Sequence, residues 1–306
     1  MNTFKQLLSI AVTFSALAAF GQSEPSYRQN QFNILMLNPA QAGASGYNDI
    51  SLLSARSLGG FTGAPKTINA TGNFRMSKNF GAGITVLSHQ LGPVKSVQGA
   101  LNLSYHLQLN RKYRLAVGIK AMASSVNIDL PSLSTTRLDD PNMSRELSTG
   151  TQFDGGWGVL FYSRKFYVGL SQPRVAQTKF LNADMSDYLS SNSFIGYVGG
   201  DFPLSRTLDI RPNLVTRYTE DVPLYLEVNT IFTYDKMFDF GLSYQWDSYA
   251  GLILGYDINK KFYFGYAYSI PTSTLNTVSV QSHELVIRFR INENLRSKFQ
   301  SPRFFN

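Results

Sequence analysis

Residues 97–109, VQGALNLSYHLQL, alternate almost without a break: Val97, Leu101, Leu103, Tyr105, Leu107 and Leu109 fall on one side, and Gln98, Asn102, Ser104, His106 and Gln108 on the other. A period of two belongs to an extended strand, whose successive side chains point to opposite faces. The run is longer than the about 5–6 residues of an ordinary strand. It suits a tilted strand crossing a bilayer, which takes about 9–11 residues. The same pattern returns in 238–246, FDFGLSYQW, where Phe238, Phe240, Leu242, Tyr244 and Trp246 oppose Asp239, Gly241, Ser243 and Gln245. In 262–269, Phe262, Phe264, Tyr266 and Tyr268 oppose Tyr263, Gly265, Ala267 and Ser269. In 284–290, Leu285, Ile287 and Phe289 oppose Glu284, Val286, Arg288 and Arg290. Two arginines on one strand face are costly in lipid and unexceptional in a hydrated barrel interior.

Composition agrees with a surface that is largely not water. Of 306 residues only 16% are charged, against 43% hydrophobic, with 17 Tyr and 22 Phe; a soluble domain carries roughly 25% charged residues. There is no cysteine, which excludes disulfides, thiolate metal sites and a Cys nucleophile. The formal charge is +8, but the basic residues are scattered and match no reader motif, so nucleic-acid binding is not expected.

Residues 1–21, MNTFKQLLSIAVTFSALAAFG, place Lys5 ahead of an apolar stretch from Leu7 to Phe20, with Ala19 and Gly21 before a cut at Gln22. This reads as a cleaved signal peptide, since the apolar run is short for a span of about 20 residues. No Cys follows to carry a lipid anchor, and no second long apolar run follows it. A helical membrane protein is thereby excluded.

The alternating segments are 49–56, 66–75, 81–89, 97–109, 115–123, 154–162, 166–171, 194–202, 209–218, 224–233, 238–246, 250–257, 262–269 and 284–290. They predict one all-β domain over 49–290, a transmembrane antiparallel β-barrel of about 14 strands, with N- and C-termini periplasmic. If residue 49 starts upward from the periplasm, the long connections 124–153, 172–193 and 270–283 all lie outside the cell. The short ones, such as 110–114, 163–165, 234–237 and 258–261, then lie inside. Closure is required, because an open sheet edge in hydrocarbon strands N–H and C=O groups. The segment 22–48 is expected to be periplasmic or partly inserted, as a short helix or a plug. The tail 291–306 is a basic periplasmic terminus, either frayed or a contact for a partner or peptidoglycan.

Catalytic constellations do not appear. The three histidines, His89, His106 and His283, read as lumen or rim residues, and no HExxH, GxSxG or nucleotide-binding motif occurs. Asp139, Asp140 and Glu146, and likewise Asp184 and Asp187, read as solvated loop charge, because they lack regular cation-ligand spacing. No enzyme, metal or cofactor is expected. Glycine and proline point to architecture: Gly59, Gly60, Gly63, Ala64 and Pro65 predict a tight external connection. Gly118, Gly169, Gly241, Gly255 and Gly265 allow strong curvature or the close approach of a plug.

Four segments in order carry a resemblance to the PorP/SprF family of outer-membrane proteins associated with type IX secretion in Bacteroidota. They are YRQNQFNILMLNPAQAG at 27–43, Arg56 ahead of Gly63-Ala64-Pro65, YVGLSQPRV at 167–175, and HELVIRF at 283–289. The sequence departs from the family's pattern at Gln41, where an aromatic is common, and at Ser57-Leu58, where a glutamine and tryptophan often follow the arginine. The resemblance implies a non-enzymatic barrel that helps secrete or hold a cell-surface protein, such as a gliding adhesin. Type IX secretion components, outer-membrane lipid and a periplasmic peptidoglycan-binding protein are the partners it implies. Asn38, Pro39, Gly43, Arg56, Gly63, Ala64, Pro65, His283 and Glu284 are then candidate structural or docking residues. Alternation alone is equally compatible with a passive channel or transporter for small solutes, whose path the polar faces would line.

Overall fold

The computed structural model describes residues 29, 33–45, 47–57, 63–130, 146–175, 192–220, 222–259, 261–272 and 281–292. Fourteen antiparallel strands make the wall: β1 (Asn48–Ser57), β2 (Lys66–Arg75), β3 (Phe80–Leu91), β4 (Val94–Gln108), β5 (Arg114–Asp129), β6 (Gln152–Tyr162), β7 (Phe166–Gln172), β8 (Ser193–Gly200), β9 (Leu208–Thr219), β10 (Val222–Tyr234), β11 (Phe238–Gln245), β12 (Tyr249–Ile258), β13 (Phe262–Pro271) and β14 (Ser282–Asn292). Each pairs with the next in the chain, and β14 pairs with β1, from Asn48↔Asn292 to Ser57↔Ser282. The cylinder is closed, so the wall leaves no sheet edge open to lipid.

The two faces of the wall are inverted relative to a soluble protein. Outward positions are apolar and exposed: Leu101, Leu103, Ile119, Phe240, Leu242, Leu254, Phe264 and Leu285 all lie between 44% and 63% accessible. Inward positions of the wall include many that are polar and buried, among them Asn69, Asn102, Lys120, Arg211, Glu227, Asp239, Glu284 and Arg288. Only a solvent of acyl chains makes that arrangement favourable, so the exposed band is the membrane-facing surface of an outer-membrane barrel. Among the described residues no helix is long and apolar enough to cross a membrane; the crossing elements are strands.

Connections sort by end. At the periplasmic end, β10 and β11 are joined through Asp235 and Lys236, both with positive φ (48° and 58°). That is the mark of a tight turn that follows strand twist. The strand ends that flank 131–145, 176–191 and 273–280 lie at the opposite, external end.

All fourteen expected strands are present, with shifted ends. The largest shift is in the expected external loop 124–153, where β5 runs on to Asp129, Glu146–Ser148 pairs beside it and β6 begins at Gln152. The sequence there, SSVNID, alternates weakly because that part of the wall rises beyond the level where lipid selects apolar side chains. Asp139, Asp140, Asp184, Asp187 and the side chain of Glu146 lie outside the described residues, as does the tail beyond Asn292.

Candidate functional site

The lumen holds the segment that precedes β1. Residue 29 and residues 33–45 lie inside the cylinder, and Gln29, Asn38, Ala40 and Ala42 are wholly inaccessible. Of the segment 22–48, expected to be periplasmic or partly inserted, residue 29 and residues 33–45 therefore form an inserted plug. It descends the height of the barrel. The Gln29 backbone N–H donates to Glu284 Oε2 (3.2 Å), two residues from the external end of β14. The Asn33 amide donates to Asn69 Oδ1 of β2. The segment ends at Ser45, whose Oγ accepts from Asn73 Nδ2 (2.9 Å) at the periplasmic end of that strand.

Local sequence explains its shape. Ile34–Leu37 make one helical turn, α1, whose run is stopped by Pro39 two residues on. Asn38 then caps a 3₁₀ turn, Pro39–Gln41: its Oδ1 accepts from Ala40 N (2.8 Å), and Pro39 sits at the first position, where no N–H is needed. The Asn38 amide nitrogen donates outward to the wall, to Val159 O of β6 (3.0 Å) and Leu170 O of β7 (3.4 Å). Gly43 has φ +68° and its N–H donates to Asn73 Oδ1 (2.6 Å). A side chain there would be strained and would also strike Gly81 Cα at 2.7 Å.

A segment this short cannot satisfy its own backbone, so the wall does so. Met36 O accepts from Lys120 Nζ (2.8 Å) and Leu37 O accepts from Ser171 Oγ (2.7 Å). Ala42 O accepts from Ser104 Oγ (2.6 Å) and lies 2.7 Å from His106 Nε2. A carbonyl has no proton to give, so Nε2 carries the hydrogen and Nδ1 accepts from the Tyr162 hydroxyl at 2.9 Å. Apolar packing completes the fit. Ile34, Ala40 and Ala44 join a cluster with Ala116, Leu160, Tyr162, Tyr167 and Ile195. Met36 packs against a second cluster containing Leu53, Ile231, Ile253 and Val286.

Wall glycines make the room. A Cβ on Gly118 would overlap the backbone of Pro39–Ala40, one on Gly158 would overlap the Asn38 side chain, and one on Gly265 would overlap Gln29 Oε1. Of the five glycines read as curvature or plug positions, Gly118 and Gly265 thus face the plug. Gly169, Gly255 and Gly241 instead admit Tyr197, Tyr263 and Ile231 of the wall itself. Away from the plug the lumen is knitted by ion pairs. Arg211 pairs with Asp239, Arg290 Nη1 lies 2.8 Å from Asp257 Oδ2, and Arg288 Nε lies 3.7 Å from Asp49 Oδ2. Among the described residues no three His, Cys, Asp or Glu side chains gather to hold a metal.

The nine candidate residues divide into two groups. Asn38, Pro39, Gly43 and Glu284 belong to the plug and its socket. The others are at the external rim. Gly63 (φ +95°) accepts at its O from Gly92 N (2.8 Å), docking the Gly63-Ala64-Pro65 box on the β3–β4 turn, and Pro65 O accepts from Ser57 N (3.0 Å). Arg56 and His283 are register partners on β1 and β14 and face outward. Glu284 and His283, adjacent in sequence, therefore serve opposite sides of the wall. The socket residues Asn69, Asn73, Lys120 and Ser171 were not singled out in the sequence, and Ser104 only as part of a polar strand face; their signal is a small or polar side chain on an inward position.

The model of the type IX secretion system membrane protein family PorP/SprF matches residues 19–289. No curated protein matches. Among solved structures, the chain is similar to the outer membrane protein Omp33 of Acinetobacter baumannii, with 12% identity, 80% of this chain and 98% of that one covered, and a TM-score of 0.45. It is similar to the toluene transporter TodX of Pseudomonas putida, with 9% identity, coverage of 87% and 97%, and a TM-score of 0.46. It is also similar to the CymD monoaromatic hydrocarbon channel, with 12% identity, coverage of 89% and 94%, and a TM-score of 0.47. Such distant likenesses say nothing of what this barrel carries or holds. The family match covers the plug and reaches into every strand of the wall, and with it the chain is placed as a non-enzymatic outer-membrane barrel belonging to the PorP/SprF family of type IX secretion system membrane proteins.

Proposed function

We propose that this protein supports type IX secretion as a plugged docking barrel that holds one secreted cell-surface protein, such as a gliding adhesin, at the outer membrane. The observation that carries this reading is the plug. A passive channel needs a continuous wet path, whereas here the lumen is crossed by a segment whose carbonyls at Met36, Leu37 and Ala42 are bonded to the wall. What remains to interact is the external end, with its long connections 131–145 and 176–191, and the periplasmic end. The external end receives the secreted protein, and the periplasmic tail is the contact for a peptidoglycan-binding partner.

Two measurements test this. In planar bilayers the intact barrel is expected to be electrically silent, and deletion of residues 33–45 to open it. In intact cells, photocrosslinkers in 131–145 and 176–191 are expected to capture a secreted surface protein together with type IX components. A steady open pore in the intact protein, with unchanged surface-protein export in a deletion strain, would replace this reading by that of a small-solute channel.

A further inference from the structure

The outer face of the barrel carries a line of cations where the lipid-facing band ends. In register across five strands stand His283 of β14, Arg56 of β1, Lys66 of β2, Gln90 of β3 and Lys95 of β4. All five face outward, and Arg56, Lys66, Gln90 and Lys95 are exposed. The next outward residues toward the membrane centre are Leu285, Ser54, Ile68, Ser88 and Val97; beyond them lie Ile287, Leu52, Ala70, Val86 and Gly99. The cations therefore sit on the external border of the apolar band. Tyr266 and Tyr268 of β13 flank His283, with ring centroids 6.0 and 5.2 Å away, and the Tyr266 hydroxyl lies 2.7 Å from its Nδ1. Tyrosines of this kind mark the headgroup level of a membrane.

Two further facts indicate what meets these side chains. Arg56 and Lys66 are direct cross-strand partners on one face, an arrangement of like charges that is destabilising unless an anion lies between them. No described outward position on β14, β1, β2, β3 or β4 carries a carboxylate; the nearest is Asp129 on β5, beyond Asn127, the register partner of Lys95. Among the described residues Arg56, Lys66 and Lys95 make no ion pair. Membrane phosphates lie at this height of the wall and carry the charge that these side chains lack among the described residues. We infer that the row Arg56–Lys66–Lys95 binds the phosphate groups of an outer-leaflet glycolipid, holding a phosphorylated lipid against β1–β4 and fixing the barrel's height in the membrane. Arg56 supplies a planar fork for a phosphate, and the lysines supply point charges.

The test is lipid retention by the full barrel in phosphatidylcholine nanodiscs doped in turn with bisphosphorylated lipid A, dephosphorylated lipid A or phosphatidylglycerol, read by native mass spectrometry. The wild type is expected to retain bisphosphorylated lipid A and not the dephosphorylated form. The triple variant Arg56→Gln/Lys66→Gln/Lys95→Gln is expected to lose retention by on the order of a hundredfold, at about fivefold per cation at a membrane surface. A control removing the same charge from the periplasmic turns, Arg111→Gln/Lys112→Gln/Lys165→Gln, is expected to keep it, and Arg56→Lys to keep most of it. Strand content by circular dichroism verifies folding of each. Equal retention by the triple variant, or by the wild type for phosphatidylglycerol, overturns the assignment.

Discussion

Replacing Gly118 by alanine tests the plug most directly. The added Cβ would lie 2.3 Å from the amide nitrogen of Ala40, 2.5 Å from Pro39 C and 2.6 Å from Ala40 Cα. Neither side yields easily, since Gly118 is held between Ser104 and Gly158 by strand pairing and the plug atoms are backbone. The plug must retreat by about 1 Å to restore ordinary carbon separations near 3.5 Å. That motion stretches the bonds from Ser104 and His106 to Ala42 O, now 2.6 and 2.7 Å, and from Lys120 to Met36 O, now 2.8 Å. Overpacking costs about 1–3 kcal/mol. Each weakened bond adds about 1 kcal/mol, the charged one somewhat more. A total of about 4–6 kcal/mol raises the undocked population about a thousandfold or more. Hydrogen exchange reads this at the amides of Gln41, Ala42 and Ala44, which bond within the plug to Asn38 O, Pro39 O and Gln41 O. Their exchange should accelerate by about that factor, while amides of β11 and β12 stay protected. Unchanged exchange in a folded Gly118→Ala barrel would refute the claim that wall glycines create the plug's seat.

Other outcomes follow from the same structure. Arg211→Met leaves Asp239 buried with hydrogen bonds only from Thr233 (2.7 Å) and Tyr263 (3.2 Å). It should lower stability in urea by about 3–5 kcal/mol, much of which Asp239→Asn should restore in the double variant. Leu242→Arg, on the outward face of β11, should cost about 2–4 kcal/mol in the same assay in lipid; an unaffected midpoint would mean this face does not meet hydrocarbon. Asn38→Ala removes the cap of the 3₁₀ turn and two bonds to β6 and β7. It should destabilise the plug by about 2 kcal/mol, seen as faster exchange at Ala42. The mass of the mature chain from outer membranes should place its first residue at Gln22; retention of residues 1–21 would overturn the signal-peptide reading.

The barrel is an instance of binary pattern meeting an inverted environment. Arg288 and Arg290 would be misplaced in a soluble sandwich, yet they close pairs with Asp49 and Asp257. Phe240 and Leu242 would be aggregation hazards in water and are membrane contacts here. The plug then removes the remaining liability of such a cylinder, a polar lumen, by giving its Ser, Lys and His side chains a backbone to bond.

Alternation by itself determined the strands, their inward and outward faces and the closed cylinder, because lipid on one side and polar atoms on the other leave a period-two chain a single arrangement. It also determined which end carries the long connections. It could not place residues 29 and 33–45 in the lumen: a patch such as NILML reads alike in a periplasmic helix and in a plug, and only contact with Lys120, Ser171 and Ser104 from distant strands tells them apart. Register was likewise beyond it. That Arg56 stands beside Lys66 and His283 while Glu284 turns inward to Gln29 depends on pairings between strands far apart in the chain, which tertiary closure alone sets.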